Sequence, residues 1–324
     1  MANQTDLEKL FEKIACCENV CNYFNGGLEE SQCCKIIRSQ FSLYDYCTYT
    51  NFQNDCSNFK NNFQIPEPWS GHIDKAPLLF LGSNPSIDAY EKYPRFGESC
   101  CSKQFNGKPL IDFYNNRFEN NPEKNGWSDY WKQVRSVASW LYCKNTIKPG
   151  CDYALSEVVH CKSKKQEGAE EALTECRKKY LECLLDISPA KVVVVFGASI
   201  WNAVAVYLLK ENAKNIKNAK KAFKYLEKNG NNIKNINCKH PDENKNCKCV
   251  LKIYKQININ NNNGCKYFIF ANHPSYCNGH GHAMPRGFVD CLEPGCKKLF
   301  QKKINKYLKS QSKKPDCNSK QVSK

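Results

Sequence analysis

The sequence predicts an α/β fold: a three-layer sandwich with a central four-stranded parallel sheet and helices on both faces. Four short apolar runs lack polar alternation and are rich in β-branched and aromatic residues, which is typical of strands buried on both sides. Segments with helical spacing separate these runs, as in a parallel sheet with crossover helices. Right-handed crossovers would gather the carboxyl ends of all four strands along one edge.

The strands are predicted in chain order from these apolar runs. The second run is interrupted by the polar residues Ser156 and Glu157, so we expect a broken strand there. The four runs are Pro77–Leu81, Tyr153–Val159, Val192–Gly197 and Tyr267–Phe270.

Helices are predicted from apolar residues that recur on one side. Ser128 is a favourable N-cap for the helix that contains Trp131. The other main helices are expected at Ala169–Leu185, Ser199–Leu209 and about Phe288–Leu308. Within the Lys- and Asn-rich segment 211–264, Ala219–Leu226 is predicted to be helical and Val250–Ile257 to be an extra strand.

Composition divides the chain into three parts. Residues 1–62 form a Cys-rich, helical N-terminal segment, and residues 63–309 form the core domain. Residues 211–264 are an insertion in that domain, and the polar tail 310–324 is predicted to be disordered.

The charge and hydropathy of the chain limit its partners. The 48 basic and 32 acidic residues give a net charge of +16, which suits a polyanion such as DNA or RNA, although a Lys-rich composition also aids solubility. No apolar run approaches the length of a membrane span, and the first residues lack a secretory signal. We therefore expect an intracellular protein, cytoplasmic or in the nucleoid or nucleus, with no membrane partner and no obligate protein partner.

Polar residues follow the first and last predicted strands. Gly82-Ser83-Asn84-Pro85-Ser86 follows the first, and His273-Pro274-Ser275 comes shortly after the last. Ligands of open α/β sheets bind outside the carboxyl ends of the strands. A His in this place can donate a hydrogen bond to developing negative charge, whereas the simpler alternative is a structural His beside a turn-forming Pro.

The Gly82–Ser86 turn resembles the first motif of the uracil-DNA glycosylase superfamily, and His273-Pro274-Ser275 resembles the second. The resemblance implies a DNA glycosylase of base excision repair that removes uracil or a related deaminated base by hydrolysis of the N-glycosidic bond. It covers about residues 64–210 and 265–305, and its partner is DNA. The alternatives are a non-catalytic nucleic-acid-binding protein of the same fold and a Cys-rich, zinc-binding scaffold.

The resemblance also implies roles for individual residues. His273 would hydrogen-bond the leaving base, and Asn84 would hold the attacking water. Phe96 is the candidate that stacks on the base, with Phe105 and Tyr93 as alternatives. The remaining substrate-binding candidates are Gly82, Ser83, Pro85 and Ser86 of the first motif, together with Ser275 for a flanking phosphate and Tyr276 as a wedge in the duplex.

Glu157 departs from the pattern of the family, which has a uracil-reading Asn near this place. An ionised Glu only accepts hydrogen bonds, so strict uracil specificity is in doubt. Burial would raise the pKa of Glu157 toward a protonated form that offers both a donor and an acceptor.

The 22 cysteines predict metal ligation, because disulfides are disfavoured inside cells. In the iron–sulfur branch of the superfamily, which the chain resembles, one Cys after the second strand pairs with one on the next helix. Cys161 and Cys176 occupy those places, and Cys47 and Cys56 are the upstream candidates for a structural [4Fe–4S] cluster. Cys33 or Cys34 could replace either upstream ligand, and buried free thiols are the alternative.

A second group of metal-ligating residues lies in the insertion. The spacing of its members is roughly that of a zinc site, although tighter than in common zinc modules. The candidate ligands of this additional zinc are Cys238, His240, Cys247 and Cys249.

Overall fold

The structure is a computed structural model. It describes residues 5–25, 33–40, 60–87, 91–99, 107–120, 129–209, 221–229, 233–236, 251–256, 266–271, 301–302, 304–306 and 308–309. The helices are α1 (Asp6–Ala15), α2 (Glu18–Phe24), α3 (Cys34–Ser39), α4 (Phe96–Ser99), α5 (Gly107–Asn115), α6 (Arg117–Asn120), α7 (Asp129–Tyr142), α8 (Ala169–Cys176), α9 (Glu182–Ile187), α10 (Ala198–Leu209) and α11 (Ala222–Asn229). The strands are β1 (Leu78–Gly82), β2 (Tyr153–Glu157), β3 (Val192–Phe196), β4 (Ile233–Ile236), β5 (Leu251–Gln256) and β6 (Lys266–Ala271).

The described strands form one six-stranded sheet in the order β2-β1-β3-β6-β5-β4. The first four are parallel, which confirms the predicted α/β class and the central parallel sheet. Strands β5 and β4 extend the β6 edge as an antiparallel pair. Strand β5 was predicted, but β4 was not, because Ile233–Ile236 has only two apolar residues in a Lys- and Asn-rich context.

Side chains of the parallel strands alternate between two apolar layers. One face, represented by Leu79 and Val193, packs with the helices α1, α8, α9 and α10. The other face, represented by Phe80 and Val194, packs with α7 and with Ile304 of the C-terminal helical residues. The sheet is therefore covered on both sides, as the uninterrupted apolar runs require.

The N-terminal segment shares the core of the sheet domain. Thr5 and Glu8 form a capping box at the start of α1, which satisfies free backbone N–H groups there. The buried ring of Phe11 lies 5.6 Å from both Trp69 and Tyr114, measured between centroids. Aromatic contacts thus attach α1 to the entry of β1.

Strand β2 is unbroken, unlike the interrupted strand that the sequence predicts. Ser156 and Glu157 are both buried within it. The Ser156 hydroxyl donates a 2.7 Å hydrogen bond to the Pro68 carbonyl, because residues 67–70 run alongside the strand. This bond provides the buried Ser156 hydroxyl with a hydrogen-bond partner, so this polar residue does not interrupt the strand as the sequence pattern predicts.

The predicted helix Ala169–Leu185 is present but contains a π-helical turn, Arg177–Leu181, between α8 and α9. Such turns insert one extra residue and often mark functional sites. Here the turn begins directly after Cys176.

The carbonyl of Ala271 is fixed where β6 ends. It accepts hydrogen bonds from the Gly197 N–H at 3.0 Å and from the Trp201 indole at 3.2 Å. Gly197 has a φ of 91°, which favours glycine at this turn. The chain therefore leaves the sheet at a defined point, two residues before His273.

Among the described residues, no helix combines the length and apolar character that crossing a bilayer requires. The tail 310–324 and Ser128 lie outside the described residues.

Replacement of Gly168 is expected to destabilise the fold, because this residue contacts the backbone of α3 at the start of α8. Its φ is 74°, and a Cβ atom there would lie 2.3 Å from the backbone nitrogen of Ile36. Gly168→Ala should lower the free energy of unfolding by about 2 kcal/mol or more, as measured by urea denaturation. Gly107→Ala, in α5, is the control and should be neutral or slightly stabilising. Equal stability of the two variants would contradict this packing.

Candidate active site

The site is built where the turn after β1 joins the segment after β2. Three backbone N–H groups of the second segment donate to three carbonyls of the turn. The pairs are Val158 to Gly82 at 3.1 Å, Val159 to Ser83 at 2.9 Å and Ser163 to Pro85 at 3.1 Å. These bonds extend the β1–β2 pairing past the sheet edge and hold both segments in register.

Asn84 is oriented by hydrogen bonds from its amide nitrogen. Nδ2 donates to the Ser163 hydroxyl at 2.8 Å and to the Pro85 carbonyl at 3.1 Å. The carbonyl oxygen Oδ1 is buried and accepts no hydrogen bond from the described residues. The Asn84 side chain therefore presents a fixed, free acceptor, and the buried hydroxyl of neighbouring Ser83 also has no described partner.

The carboxyl group of Glu157 lies directly over Gly82. The two residues are register partners at the ends of β2 and β1. A Cβ atom on Gly82 would lie only 2.1 Å from Glu157 Oε2, so glycine leaves the space that the carboxyl group occupies. Glu157 is 5% exposed, and its Oε2 has no hydrogen-bond partner among the described residues.

Burial raises the pKa of Glu157 well above its ordinary value, and the charge of Glu67 raises it further. The direction agrees with the expectation from the sequence, and it favours the protonated form of the carboxyl group. The hydroxyl of Tyr130 is close enough for Glu157 and Glu67 to raise its pKa, after the larger effect of burial. Tyr130 was not among the residues that the sequence identifies.

A buried network of four charges lies behind the site. Lys162 Nζ is 2.7 Å from Glu91 and 3.6 Å from Glu67, and Arg117 contacts the same two carboxylates. Burial raises the pKa of Glu91, but Lys162 and Arg117 outweigh this effect and lower it. Two cations balance two carboxylates, so this network can exist inside the protein without an unpaired charge.

The network joins segments that are distant in the sequence. Glu67 also accepts a hydrogen bond from Ser70 at 2.9 Å, and its backbone contacts His160. Lys162 lies 3.8 Å from the centre of the Tyr93 ring, a cation–π contact. The sequence gives no signal for these pairs, because a single Lys or Glu does not reveal a partner many residues away.

Two aromatic candidates for base stacking are described. Phe96 is buried in the core, 4.9 Å from the ring of Phe24, with which it packs beside Phe63. Tyr93 is also buried, and its hydroxyl accepts a hydrogen bond from Tyr114 at 2.9 Å. Packing is the role that the structure gives Phe96, and stacking on a base stays a prediction.

The remaining residues of the predicted site lie in the motif turn or outside the described residues. Gly82 ends β1, and Ser83, Asn84, Pro85 and Ser86 follow it directly. The second motif, with His273, Ser275 and Tyr276, lies outside the described residues, as does Phe105. The zinc candidates Cys238, His240, Cys247 and Cys249 also lie outside them.

Four buried cysteines from separate segments lie near one another. Each is 3–5% exposed, and the group comprises Cys17, Cys33, Cys161 and Cys176. Cys161 and Cys176 were predicted, and Cys33 was an alternative. Cys17 was not selected, because nothing in the sequence separates it from Cys16 and Cys21. Cys47 and Cys56 lie outside the described residues.

The four thiols influence one another electrostatically. A hydrogen bond with Cys176 lowers the pKa of Cys33 to about 7, against the effect of burial. Burial raises the pKa of Cys161, and the neighbouring Cys17 and Cys33 raise it further. Two polar groups also face the sulfurs: the Tyr180 hydroxyl lies 3.1 Å from Cys17 Sγ, and the Asn19 amide lies 3.3 Å from Cys33 Sγ.

Within the described ranges, no three His, Cys, Asp or Glu side chains are placed to hold one metal ion. The four thiols are a different arrangement, because each ligand of a [4Fe–4S] cube binds a different iron. Four buried cysteines from separate segments, two of which have a polar side chain that donates a hydrogen bond to the sulfur, fit the ligand set of such a cluster.

The class of protein is defined by this combination of fold and site: a parallel α/β sheet with a Gly-x-Asn-Pro turn at the carboxyl end of β1. The family model of the uracil DNA glycosylase superfamily matches residues 68–293. The chain therefore belongs to that superfamily, which indicates a DNA glycosylase that acts on DNA. A comparison with curated proteins finds no match.

The raised pKa of Glu157 predicts a pH-dependent stability. A carboxyl group with a raised pKa stabilises the fold fully below its unfolded pKa, near 4.5, and loses this contribution as pH rises through the folded pKa. Glu157→Gln keeps a neutral side chain of the same shape. Its stability relative to the wild type should therefore rise by up to about 1.4 kcal/mol per pH unit above pH 4.5, as measured by urea denaturation.

Glu182→Gln, at an exposed position of α9, is the matched control for the same substitution. A stability difference between Glu157→Gln and the wild type that does not change with pH would show that the Glu157 carboxyl group is not held in the protonated form.

Proposed function

We propose that the protein is a monofunctional DNA glycosylase that excises uracil or a related deaminated base by hydrolysis. The observation that carries the proposal is a cluster of three buried oxygen atoms with no described hydrogen-bond partner. They are Ser83 Oγ, Asn84 Oδ1 and Glu157 Oε2, at the carboxyl ends of two adjacent strands. Buried polar atoms are normally satisfied, so this cluster indicates a ligand that supplies the missing partners.

Asn84 is suited to hold the attacking water. Its amide nitrogen is committed to Ser163 and Pro85, which leaves Oδ1 free to accept a hydrogen bond from water. An amide is no general base, so Asn84 contributes position and dipole while the sugar develops positive charge. His273, two residues beyond the fixed end of β6, would donate a hydrogen bond to the departing base and stabilise its negative charge.

Glu157 is suited to read the base when it is protonated. A neutral carboxyl group offers one O–H donor and one carbonyl acceptor. Uracil and hypoxanthine both present a carbonyl next to a ring N–H, which matches this pair. Ionisation would remove the donor and place a negative charge near the leaving base. We therefore assign substrate recognition to the neutral form of Glu157.

We also propose that Cys17, Cys33, Cys161 and Cys176 are the ligands of a [4Fe–4S] cluster. This set replaces Cys47 and Cys56 of the sequence-based prediction, because the structure brings Cys17 and Cys33 beside the other two. The cluster would supply a structural cross-link between the N-terminal helices and the segment that follows β2. The additional zinc in the insertion stays a prediction.

A second candidate function is nucleic-acid binding without excision. The presence of Glu157, where the family has a uracil-reading Asn, is the observation that favours it. The fold, charge and cysteines would serve that function equally well.

An excision assay separates the two functions. The wild type should release base from oligonucleotides that contain uracil or hypoxanthine, as detected by alkali cleavage. Asn84→Ala and His273→Ala should each lower the rate by roughly 10²–10³ with little change in DNA affinity, because they act on the transition state. The control is Asn145→Ala, at an exposed position before β2. Binding without release by the wild type would support the second function.

The pH profile tests Glu157 in the same assay. Excision should fall as pH rises above neutrality, because the donor proton is lost. Glu157→Asn should improve uracil excision and flatten that fall. If both Glu157→Asn and Glu157→Gln left the rate, the pH profile and the base preference unchanged, Glu157 would not line the base pocket.

Iron analysis tests the proposed ligands. Anaerobically purified protein should contain about four iron atoms per chain and absorb broadly in the visible range. Cys17→Ala, Cys33→Ala, Cys161→Ala and Cys176→Ala should lose iron, colour and thermal stability. The exposed Cys143→Ala and Cys183→Ala are controls. If Cys47→Ala or Cys56→Ala lost iron while Cys17→Ala and Cys33→Ala kept it, the upstream ligands would be Cys47 and Cys56, as the sequence predicts.

A further inference from the structure

A strained turn lies beside the candidate active site. Lys165 has φ 52° and ψ 30°, and Gln166 has φ 62°, so two consecutive non-glycine residues adopt the left-handed conformation. Among the described residues, the only other non-glycine residue with positive φ is Cys143. L-residues disfavour this conformation, and it persists only where the surrounding structure enforces it.

The turn is enforced from both ends. On one side, Ser163 pairs with Ser86 and bonds to Pro85 and Asn84 of the first motif. On the other side, Gly168 packs against the backbone of Ile36 and leads into α8. Only four residues connect these two fixed points, so the chain between them must turn sharply.

The turn exposes two positive charges. Lys164 and Lys165 are exposed, and neither forms an ion pair with a described residue. In contrast, the preceding Lys162 is buried and paired with Glu91 and Glu67. The one carboxylate of the turn, Glu167, lies close enough to Lys35 to raise the pKa of that lysine, after the larger effect of Glu171.

We propose that the turn Lys164–Gln166 contacts the DNA backbone next to the flipped nucleotide, with Lys164 and Lys165 each neutralising a phosphate. The fold enforces this conformation from both ends, and the exposed Lys165 side chain forms no hydrogen bond or ion pair with a described residue, so the strained backbone presents its charge to an external ligand. Ser163, the residue before the turn, is hydrogen-bonded to Pro85 and Asn84 of the motif that would hold the sugar and water, so a strand that enters the site passes these lysines. The proposal rests on the proposed DNA function, and phosphate contacts position a nucleic acid without reading its sequence.

The test measures DNA affinity against salt concentration with the full-length protein and a fluorescent duplex that contains uracil. Each lost phosphate contact should reduce the slope of log K against log salt by about 0.9. The double variant Lys164→Gln/Lys165→Gln should therefore lose roughly 1.8 from the slope. The matched control is Lys75→Gln/Lys148→Gln, at exposed positions that precede β1 and β2 at the opposite edge of the sheet.

Two further variants distinguish the loss of a DNA contact from a loss of protein stability. Lys165→Gly removes the charge but suits a φ of 52°, so its melting temperature should be unchanged or higher while its DNA affinity falls. Lys164→Arg/Lys165→Arg should keep the wild-type slope. Slopes of the turn variants that equal those of the control would overturn the inference and leave the proposed function intact. A wild type that binds no DNA would overturn both.

Discussion

The site depends on the continued pairing of β1 and β2 beyond the sheet. The three hydrogen bonds from the segment after β2 to the turn after β1 place Glu157 over Gly82 and bring Ser163 to Asn84. Because parallel strands end at the same edge, one pairing brings together Glu157 of β2, the proposed base reader, and Asn84 after β1, the proposed holder of the water. The same segment continues into Cys161 and the exposed turn Lys164–Gln166.

Buried charged groups give this edge two kinds of carboxyl environment. Lys162 and Arg117 are paired with Glu67 and Glu91, and the two cations lower the pKa of Glu91 against the effect of burial. Among the described residues, none forms an ion pair with Glu157, and burial, together with the neighbouring Glu67, raises its pKa. The pKa values of Glu91 and Glu157 are thus shifted in opposite directions. The lowered pKa favours the ionised Glu91 that pairs with Lys162 and Arg117, and the raised pKa favours a neutral Glu157.

Much of the fold was predictable, because buried parallel strands carry a strong local signal. The runs Leu78–Gly82 and Val192–Phe196 are apolar throughout, and each is followed by a turn whose residues identify the sheet edge. The π-helical turn after Cys176 and the short β4 depend on tertiary contacts and leave little local pattern. Likewise, Cys17 and Lys162 acquire their roles only from partners in distant segments.

The central claim is that the carboxyl ends of β1 and β2 form a base pocket. A crystal structure of the protein with a uracil-containing or hypoxanthine-containing oligonucleotide tests it most directly. We expect the carbonyl and ring N–H of the flipped base within hydrogen-bond distance of the Glu157 carboxyl group, and a water molecule on Asn84 Oδ1 in reach of the sugar. A base bound elsewhere, with Glu157 still buried against Gly82 and without contact to it, would contradict the account.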